Sequence, residues 1–370
     1  MAARDDAART VLVACVAALL GIGAVMIYSA TARGDGSLLA GTFLRQMVYV
    51  AFGLGCAFFL GSLDYHSILA RRREIFALSL VFLVLVLIPG IGSRVNGASR
   101  WLRVGPVGFQ PSELAKLALV IFLAGFLGSE GRSAKDLRGA FLPSIAATGL
   151  VAVLVLAEPD IGTSVLLAAV AAVVLFVAGA RFHHLLAPAV AALPVLALIV
   201  SKGYARNRIN AWIDPWKDPS ASGYHIIQSL IAIGSGGVTG VGLGASKQKL
   251  FFLPESQTDF IFAILAEETG LVGVTLVLAL YLAFTICGVH IAMRAPDRGG
   301  RLLAAGITTM VSLQAIINIA VVTKVLPTKG IALPFISAGG SSVVTMLVGA
   351  ALLYGIGRTA SAAGRQPRVA

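Results

Sequence analysis

Charge is what this sequence has least of. Of 370 residues only 12% are Asp, Glu, Lys or Arg, while 58% are hydrophobic. A water-soluble chain carries about 25% charged residues, so a soluble globular enzyme is excluded. Cysteine is nearly absent as well. Cys15, Cys56 and Cys287 are the only three, and all fall inside apolar runs. With none in a polar segment, there is no disulfide framework and no thiolate metal site. The short alternating segments of a membrane β-barrel are missing. No HExxH, Walker or Ser-His-Asp arrangement is visible. The glycine-rich "GSGGVTGVGLG" (234–244) lacks the GK[ST] ending and the strand–loop–helix setting of a nucleotide fold. Its glycines are expected to permit tight turns. The formal charge of +12 is spread over the segments between apolar runs, with no basic domain, so nucleic acid is not an expected partner.

What the chain has instead is long apolar runs. Ten approach the ~20 residues that cross a bilayer: 11–30, 46–63, 75–91, 111–128, 141–157, 162–180, 183–200, 271–292, 302–325 and 340–357. The first is about 18 residues long, longer than a signal-peptide core of ~7–15, and is expected to be a retained span. The sequence therefore predicts an all-α integral membrane protein of ten transmembrane helices in a single domain, 1–370. Lys and Arg set its orientation. The N-terminus, 71–73, 132–138, 181, 294–301 and 358–368 hold 15 of them, against 7 in the short segments of the other side. The richer side is cytoplasmic, which puts both termini inside and leaves 359–370 as a cytoplasmic tail. The large polar loop, 201–270, then lies outside, between helices 7 and 8, with re-entrant or interfacial pieces. No internal repeat argues for an inverted-repeat transporter.

Acids and bases cluster on the external side against the topological grain. Glu158, Asp160, Asp214, Asp218, Glu255 and Asp259 map there, with Arg94, Arg100, Arg103, Arg206, Arg208, Lys247 and Lys249. Such cations outside suggest an anionic ligand such as a phosphorylated lipid. The segment "FFLPESQTDFIFAILAEETG" (251–270) is the most pointed case. A continuous helix over 259–292 would be about 50 Å long, more than the ~30 Å hydrocarbon core. So 259–269 is expected as a short helix before Thr269–Gly270, with Asp259 at its N-terminus. Asp259 is then either an acid favoured by the helix end or a general base at a membrane-surface cavity. Glu267 and Glu268 are expected deeper in the membrane, as structural partners of Lys or Arg.

The span "GFQPSELAKLALVIFLAGF" has Pro111 at a natural first helical position. Glu113 and Lys116, three apart, share a face. Inside a membrane such a pair marks a functional cavity, or holds two helices together. Arg94, Arg100 and Arg103 precede it and suit phosphate oxygens or lipid headgroups. "AEPDIGTS" holds Glu158 and Asp160, compatible with a helix start alone. "VLPTKGIALPFISAGGSS" interrupts the hydrophobic pattern with prolines and glycines. It predicts a broken approach to the last span, with freed backbone groups around Lys329, Ser337 and Ser341.

Together, "NGASRWLRVGPVGFQPSELAKLAL", "AEPDIGTS", "GYHIIQSLIAIGSGGVTGVGLGASKQKLFFLPESQTDFIFAILAEETG" and "LPTKGIALPFISAGGSS" resemble the SEDS family, for shape, elongation, division and sporulation. The likeness runs from first span to last. "QKLFFLPES", "WIDPWKDPSASGYHIIQSL" and "LPTKGIALPFIS" look more like its division member than its elongation member. The resemblance implies ten transmembrane helices and a peptidoglycan glycosyltransferase. Such an enzyme polymerises lipid II at the outer face of a bacterial cytoplasmic membrane and releases undecaprenyl pyrophosphate. Expected partners are a class B penicillin-binding protein, which is a transpeptidase, and other membrane proteins of the division complex. The family's essential acid falls on Asp259. Its polar positions fall on Arg100, Gln110, Glu113 and Lys116, and Lys249, Lys329 and Ser341 join them as substrate-binding candidates. The chain departs from the pattern where Gln257 stands for a common His and Ala338 for a common Tyr.

The expected chemistry is a single inverting displacement. The acceptor hydroxyl attacks the anomeric carbon, Asp259 takes its proton, and pyrophosphate leaves. Positioned base catalysis contributes ~10²–10⁴-fold. No second carboxylic acid is needed, unlike in a glycosidase. Arg100, Lys116 and Lys249 are candidates to neutralise the leaving charge. No cofactor is demanded, and Mg²⁺ or Mn²⁺ is compatible. Two other functions use the same features: a lipid II flippase, or a non-catalytic scaffold of the division machinery.

Overall fold

The computed structural model describes residues 2–31, 41–95, 98–105, 107–201, 203–249 and 257–365. The chain is predominantly helical. Its first helices are α1 (Ala2–Thr31), α2 (Thr42–Ser62), α3 (Tyr65–Ala70) and α4 (Arg72–Leu87). A small sheet follows: β1 (Gly92–Val95), β2 (Ala98–Val104) and β3 (Val107–Phe109). Then come α5 (Pro111–Leu127), α6 (Leu142–Ala157), α7 (Ile161–Val177), α8 (Phe182–Val200), α9 (Gly203–Ile213) and α10 (Tyr224–Gly236). The last are α11 (Ile261–Arg294), α12 (Arg298–Val322) and α13 (Gly340–Arg365).

Each of the ten apolar runs carries a helix. Among the described residues six helices, at Asp6–Thr31, Thr42–Ser62, Leu137–Ala157, Ile261–Arg294, Arg298–Val322 and Gly340–Ser361, are long and apolar enough to cross a membrane. The chain is thus a multi-pass membrane protein by composition and length. Buried Leu, Ile, Val and Phe side chains from α1, α4, α5, α7, α11, α12 and α13 form one continuous core. Large apolar side chains such as Phe58 and Phe59 face outward, as in a protein solvated by hydrocarbon.

α5 begins at Pro111 in its first turn, where a missing N–H costs nothing. α11 breaks at Gly270, whose φ of 64° and ψ of −161° are not helical. The expected short helix is therefore present as Ile261–Thr269, and the long span starts after it. The glycine run explains how the break is packed. A Cβ on Gly236 would lie 2.0 Å from Ala266 O, one on Gly240 2.1 Å from Glu268 O, and one on Gly270 2.3 Å from Gly240 N. Only bare backbone fits. Val241 N and Gly242 N then bond the carbonyls of Glu267 and Glu268, as buried backbone at membrane depth requires.

The strands Gly92–Val95, Ala98–Val104 and Val107–Phe109 pair antiparallel, and Tyr49 and the start of α13 bond the far edge at Gly108 and Gln110. Between α8 and α11 the described residues carry α9 and α10, the latter lying along α11. α13 continues past the last apolar run to Arg365. Glu268 accepts bonds from Ser29 at 2.6 and 2.8 Å, in the last turn of α1, because the break at Gly270 separates the short helix from the span.

Candidate functional site

Asp259 lies in the turn 257–260. The helix that follows is capped by Phe260, with no side-chain cap bond and no acid in its first turn. Asp259 is thus not a helix-capping acid. Its carboxylate lies over Gly330, where a Cβ would stand 3.0 Å from Oδ2. Its carbonyl accepts from Asn318 Nδ2 at 2.9 Å, and the same amide reaches Ile331 O at 2.7 Å. Ser337 Oγ donates to Thr258 O at 2.6 Å, and Ala338 N donates to Gln257 O at 2.9 Å. The two positions where the sequence departs from the family pattern, Gln257 and Ala338, are therefore bonded neighbours.

The irregular segment 323–339 supplies that platform. Its freed backbone groups are met by side chains. Gln314 Nε2 donates to Ala332 O at 2.9 Å, Tyr281 Oη to Pro334 O at 2.5 Å, and Leu333 N donates to Ser337 Oγ at 2.7 Å. Lys116 is 2% exposed and joins Glu113 Oε1 at 2.8 Å and Gln314 Oε1 at 2.6 Å. The expected intramembrane ion pair exists, and Gln314 carries its hold to the backbone beneath Asp259.

Two cavities adjoin the turn. One is lined by Arg100, Asp160, Gly162, Arg208, Lys329 and Gly330. The other, of about 340 Å³, is lined by Arg45, Tyr49, Trp101, Arg103, Thr258 and Ala338, among others. The sheet sorts the residues. Successive strand residues face opposite sides, so Arg100 of β2 lines the first cavity while Trp101 and Arg103 line the second. Thr258, next to Asp259 in the chain, lines the second cavity, and Gly330, under the Asp259 carboxylate, lines the first.

The first cavity concentrates positive charge. Arg100 Nε donates to Glu158 O at 2.9 Å and its Nη2 to Pro159 O at 2.5 Å. Arg208 Nη1 donates to Thr328 O at 3.2 Å. Burial, and then the Arg208 guanidinium, pull the Lys329 ammonium below its ordinary value, with Asp160 opposing. Asp160 caps α7, accepting from Thr163 N at 3.0 Å and Thr163 Oγ1 at 2.9 Å, so it is the helix start the sequence suggested. Glu158 beside it is fully buried, and neither of its carboxyl oxygens has a hydrogen-bond partner. Burial, and then Asp160, push it up to about 8, against the pull of Arg100.

Of the expected site residues, Arg100 and Lys329 line one cavity together with Gly330, over which the Asp259 carboxylate lies. Glu113 and Lys116 sit behind them. Gln110 and Ser341 meet each other, Gln110 N donating to Ser341 Oγ at 2.9 Å, and tie the start of α5 to the start of α13. Lys249 goes elsewhere. Its ammonium bonds Ser29 Oγ at 3.0 Å, Gly244 O at 2.7 Å and Glu268 Oε1 at 3.2 Å. Glu268 has its expected cation, whereas Glu267 holds Ser246 Oγ at 2.5 Å and Lys247 N at 3.1 Å. Glu255 and Arg33 lie outside the described residues. Sequence reasoning missed Arg45, Tyr49, Gln314 and Asn318. The last two, four apart in an apolar helix, carried a usable signal, since polar side chains inside a span seldom lack a task. Among the described residues no group of three or more His, Cys, Asp or Glu could hold a metal ion.

A carboxylate beside clustered cations suits a transfer in which a hydroxyl loses its proton and an anion departs. Comparisons with known proteins agree in kind. The family of FtsW, RodA and SpoVE, described as cell cycle proteins, matches residues 9–362. Stage V sporulation protein E of Bacillus subtilis is 41% identical over 344 residues, covering 92% of this chain and 94% of that protein. A probable peptidoglycan glycosyltransferase FtsW of Thioalkalivibrio sulfidiphilus is 45% identical over 358 residues, covering 93% and 88%. Among solved structures, a chain from work on how a peptidoglycan synthase complex coordinates polymerization and crosslinking superposes with a TM-score of 0.78. It is 32% identical, with 94% and 97% of the two chains covered. The rod shape determining protein RodA of Thermus thermophilus superposes with a TM-score of 0.68 at 30% identity, covering 94% and 95%.

Proposed function

The chain belongs to the SEDS family, the cell cycle proteins of the FtsW, RodA and SpoVE type, and from that premise we propose that it is a peptidoglycan glycosyltransferase with Asp259 as its general base. The observation that carries the assignment of the base is Asp259 itself. It is not the N-cap residue of the helix that follows, its carboxylate lies over Gly330 of the cation-rich cavity, and its chain neighbour Thr258 lines the aromatic one.

The substrate in this reading is lipid II, as both donor and acceptor. The acceptor's hydroxyl lies near Asp259, and its sugars use the cleft of Trp101, Tyr49, Arg45 and Arg103. Carbohydrate faces stack on such aromatics, and guanidinium groups suit phosphate. The donor's pyrophosphate takes the cluster of Arg100, Arg208 and Lys329. The Asp259 carboxylate accepts the hydroxyl proton. The new C–O bond forms at the anomeric carbon as the bond to phosphate breaks, so the configuration inverts. Undecaprenyl pyrophosphate leaves as an anion held by the three cations. Lys116 and Lys249, engaged with Glu113, Gln314 and Glu268, then serve as positioning groups and not as phosphate ligands. The chemistry needs no resident cofactor, and a divalent ion on the pyrophosphate is compatible with it.

The arrangement in the cell follows from charge. Ten spans, both termini cytoplasmic, put the site on the outer face of the cytoplasmic membrane, where lipid II sugars are presented. A class B penicillin-binding protein and other division-complex proteins are the proposed partners, supported by the likeness to a chain of a peptidoglycan synthase complex. A division role is supported by FtsW relatives at 40–45% identity.

The test is polymerisation of purified lipid II by the protein with its transpeptidase partner, whose nucleophilic serine is removed. Glycan ladders on a gel support the enzyme. An intact complex that makes none, yet moves lipid II across vesicles, would make the protein a flippase. Failure of both would leave a scaffold.

A further inference from the structure

α1 and α2 both pack along α13 but touch each other little. Between them runs a groove of about 680 Å³, within the ~300–1,000 Å³ of ligand sites. Its walls are apolar, with Leu12 and Val16 of α1, Phe58 of α2 and Leu347 of α13 among them. It occupies the halves of the three helices opposite Asp259 and ends at Ser62 and Arg358.

The polar end is basic. Arg358 is exposed and donates one bond of 3.4 Å to Ser62 O, and among the described residues no carboxylate lies within ion-pair distance of it. Asp64 is near enough to feel its charge but is bonded to His66, with Nδ1 at 2.7 Å. Arg9 pairs with Asp6 and lies 5.5 Å over the ring of Tyr354, which also lines the groove. An apolar trough in hydrocarbon ending at an exposed guanidinium has the polarity of a phospholipid. Basic pockets between helices at the cytoplasmic side select anionic headgroups.

We propose that this groove binds one anionic diacyl phospholipid, with acyl chains between α1 and α2 and the phosphate at Arg358. Assigning it to the cytoplasmic leaflet rests on the orientation proposed above, but binding in detergent is independent of that orientation.

The test is native mass spectrometry of the purified full chain, titrated with phosphatidylglycerol or with phosphatidylethanolamine of the same acyl composition. Phosphatidylglycerol binds more tightly. Arg358→Gln lowers its affinity about fivefold, the size expected for one basic residue at the surface, and leaves phosphatidylethanolamine unchanged. Ala17→Trp, which fills the groove from α1, weakens both, and it carries the test alone if Arg358→Gln does not purify as a monodisperse protein. Equal affinities for the two lipids in the wild type, or phosphatidylglycerol binding unchanged by the substitutions, would overturn the proposal. A photo-reactive residue at Phe58 in native membranes attaches to phospholipid. Attachment to a helix of another protein would overturn it equally.

Discussion

The carboxylate of Asp259 rests on the α-carbon of Gly330, so closely that a methyl group there would stand 3.0 Å from Oδ2. A separation this tight demands that the carboxylate shift. Near-attack geometry is sensitive, and a displacement of about 1 Å costs up to ~10²-fold in rate. The carboxylate has to give by a few tenths of an ångström, so Gly330→Ala is expected to lower kcat by less than that, ~3- to ~10-fold, with the melting temperature in detergent little changed. Steady-state polymerisation rates with a parallel thermal melt check this.

Asn318 holds the carbonyls of both Asp259 and Ile331 with one amide. Asn318→Leu removes the donor and leaves two carbonyls to find others. The cost of a buried unsatisfied group is ~1–3 kcal/mol. The variant is expected to melt lower and to lose activity together, whereas Gly330→Ala loses activity alone. Comparing the two separates positioning of the base from general loosening of the platform.

Gly270 has φ of 64°, and its missing Cβ makes room for Gly240 N at 2.3 Å. Gly270→Ala meets both obstacles. Backbone strain at such a position costs ~1–3 kcal/mol before the clash is counted. The expected result is a large drop in folded yield and melting temperature, measured by size exclusion and thermal unfolding.

Glu158 gives a pH dependence. Its folded-state value is raised from 4.5 to about 8, so the folded protein holds a proton that the unfolded chain releases. Between pH about 4.5 and 8 the native state binds more protons, and stability falls as pH rises through that window. Glu158→Gln keeps the shape without the charge. It is expected to flatten the melting-temperature profile over that range and to exceed wild type at its alkaline end. A wild-type profile that rises with pH there would contradict the burial argument.

Much of the fold was legible because it is local. An apolar run long enough to span a bilayer becomes a helix wherever it occurs, Pro111 marks a first turn, and Thr269–Gly270 marks a break. The sheet was not legible, because β2 alternates Arg100, Trp101, Leu102 and Arg103 between two polar cavities rather than between core and solvent. Asp259, Arg100 and Lys329 could be named from sequence, and Arg100 and Lys329 line a cavity beside Gly330, the glycine under the Asp259 carboxylate. Lys249 could not be assigned, because its partners Ser29 and Glu268 are 220 and 19 residues away. Gln314 and Asn318 were hidden by the hydropathy of the helix that carries them.

The central claim is that Asp259 takes the proton. The most direct measurement compares lipid II polymerisation by the wild type, Asp259→Asn and Asp259→Glu, each with the serine-inactivated transpeptidase partner. The account predicts ladders from the wild type, none from a well-folded Asp259→Asn, and partial recovery with Asp259→Glu. Ladders of equal length and rate from Asp259→Asn would contradict it.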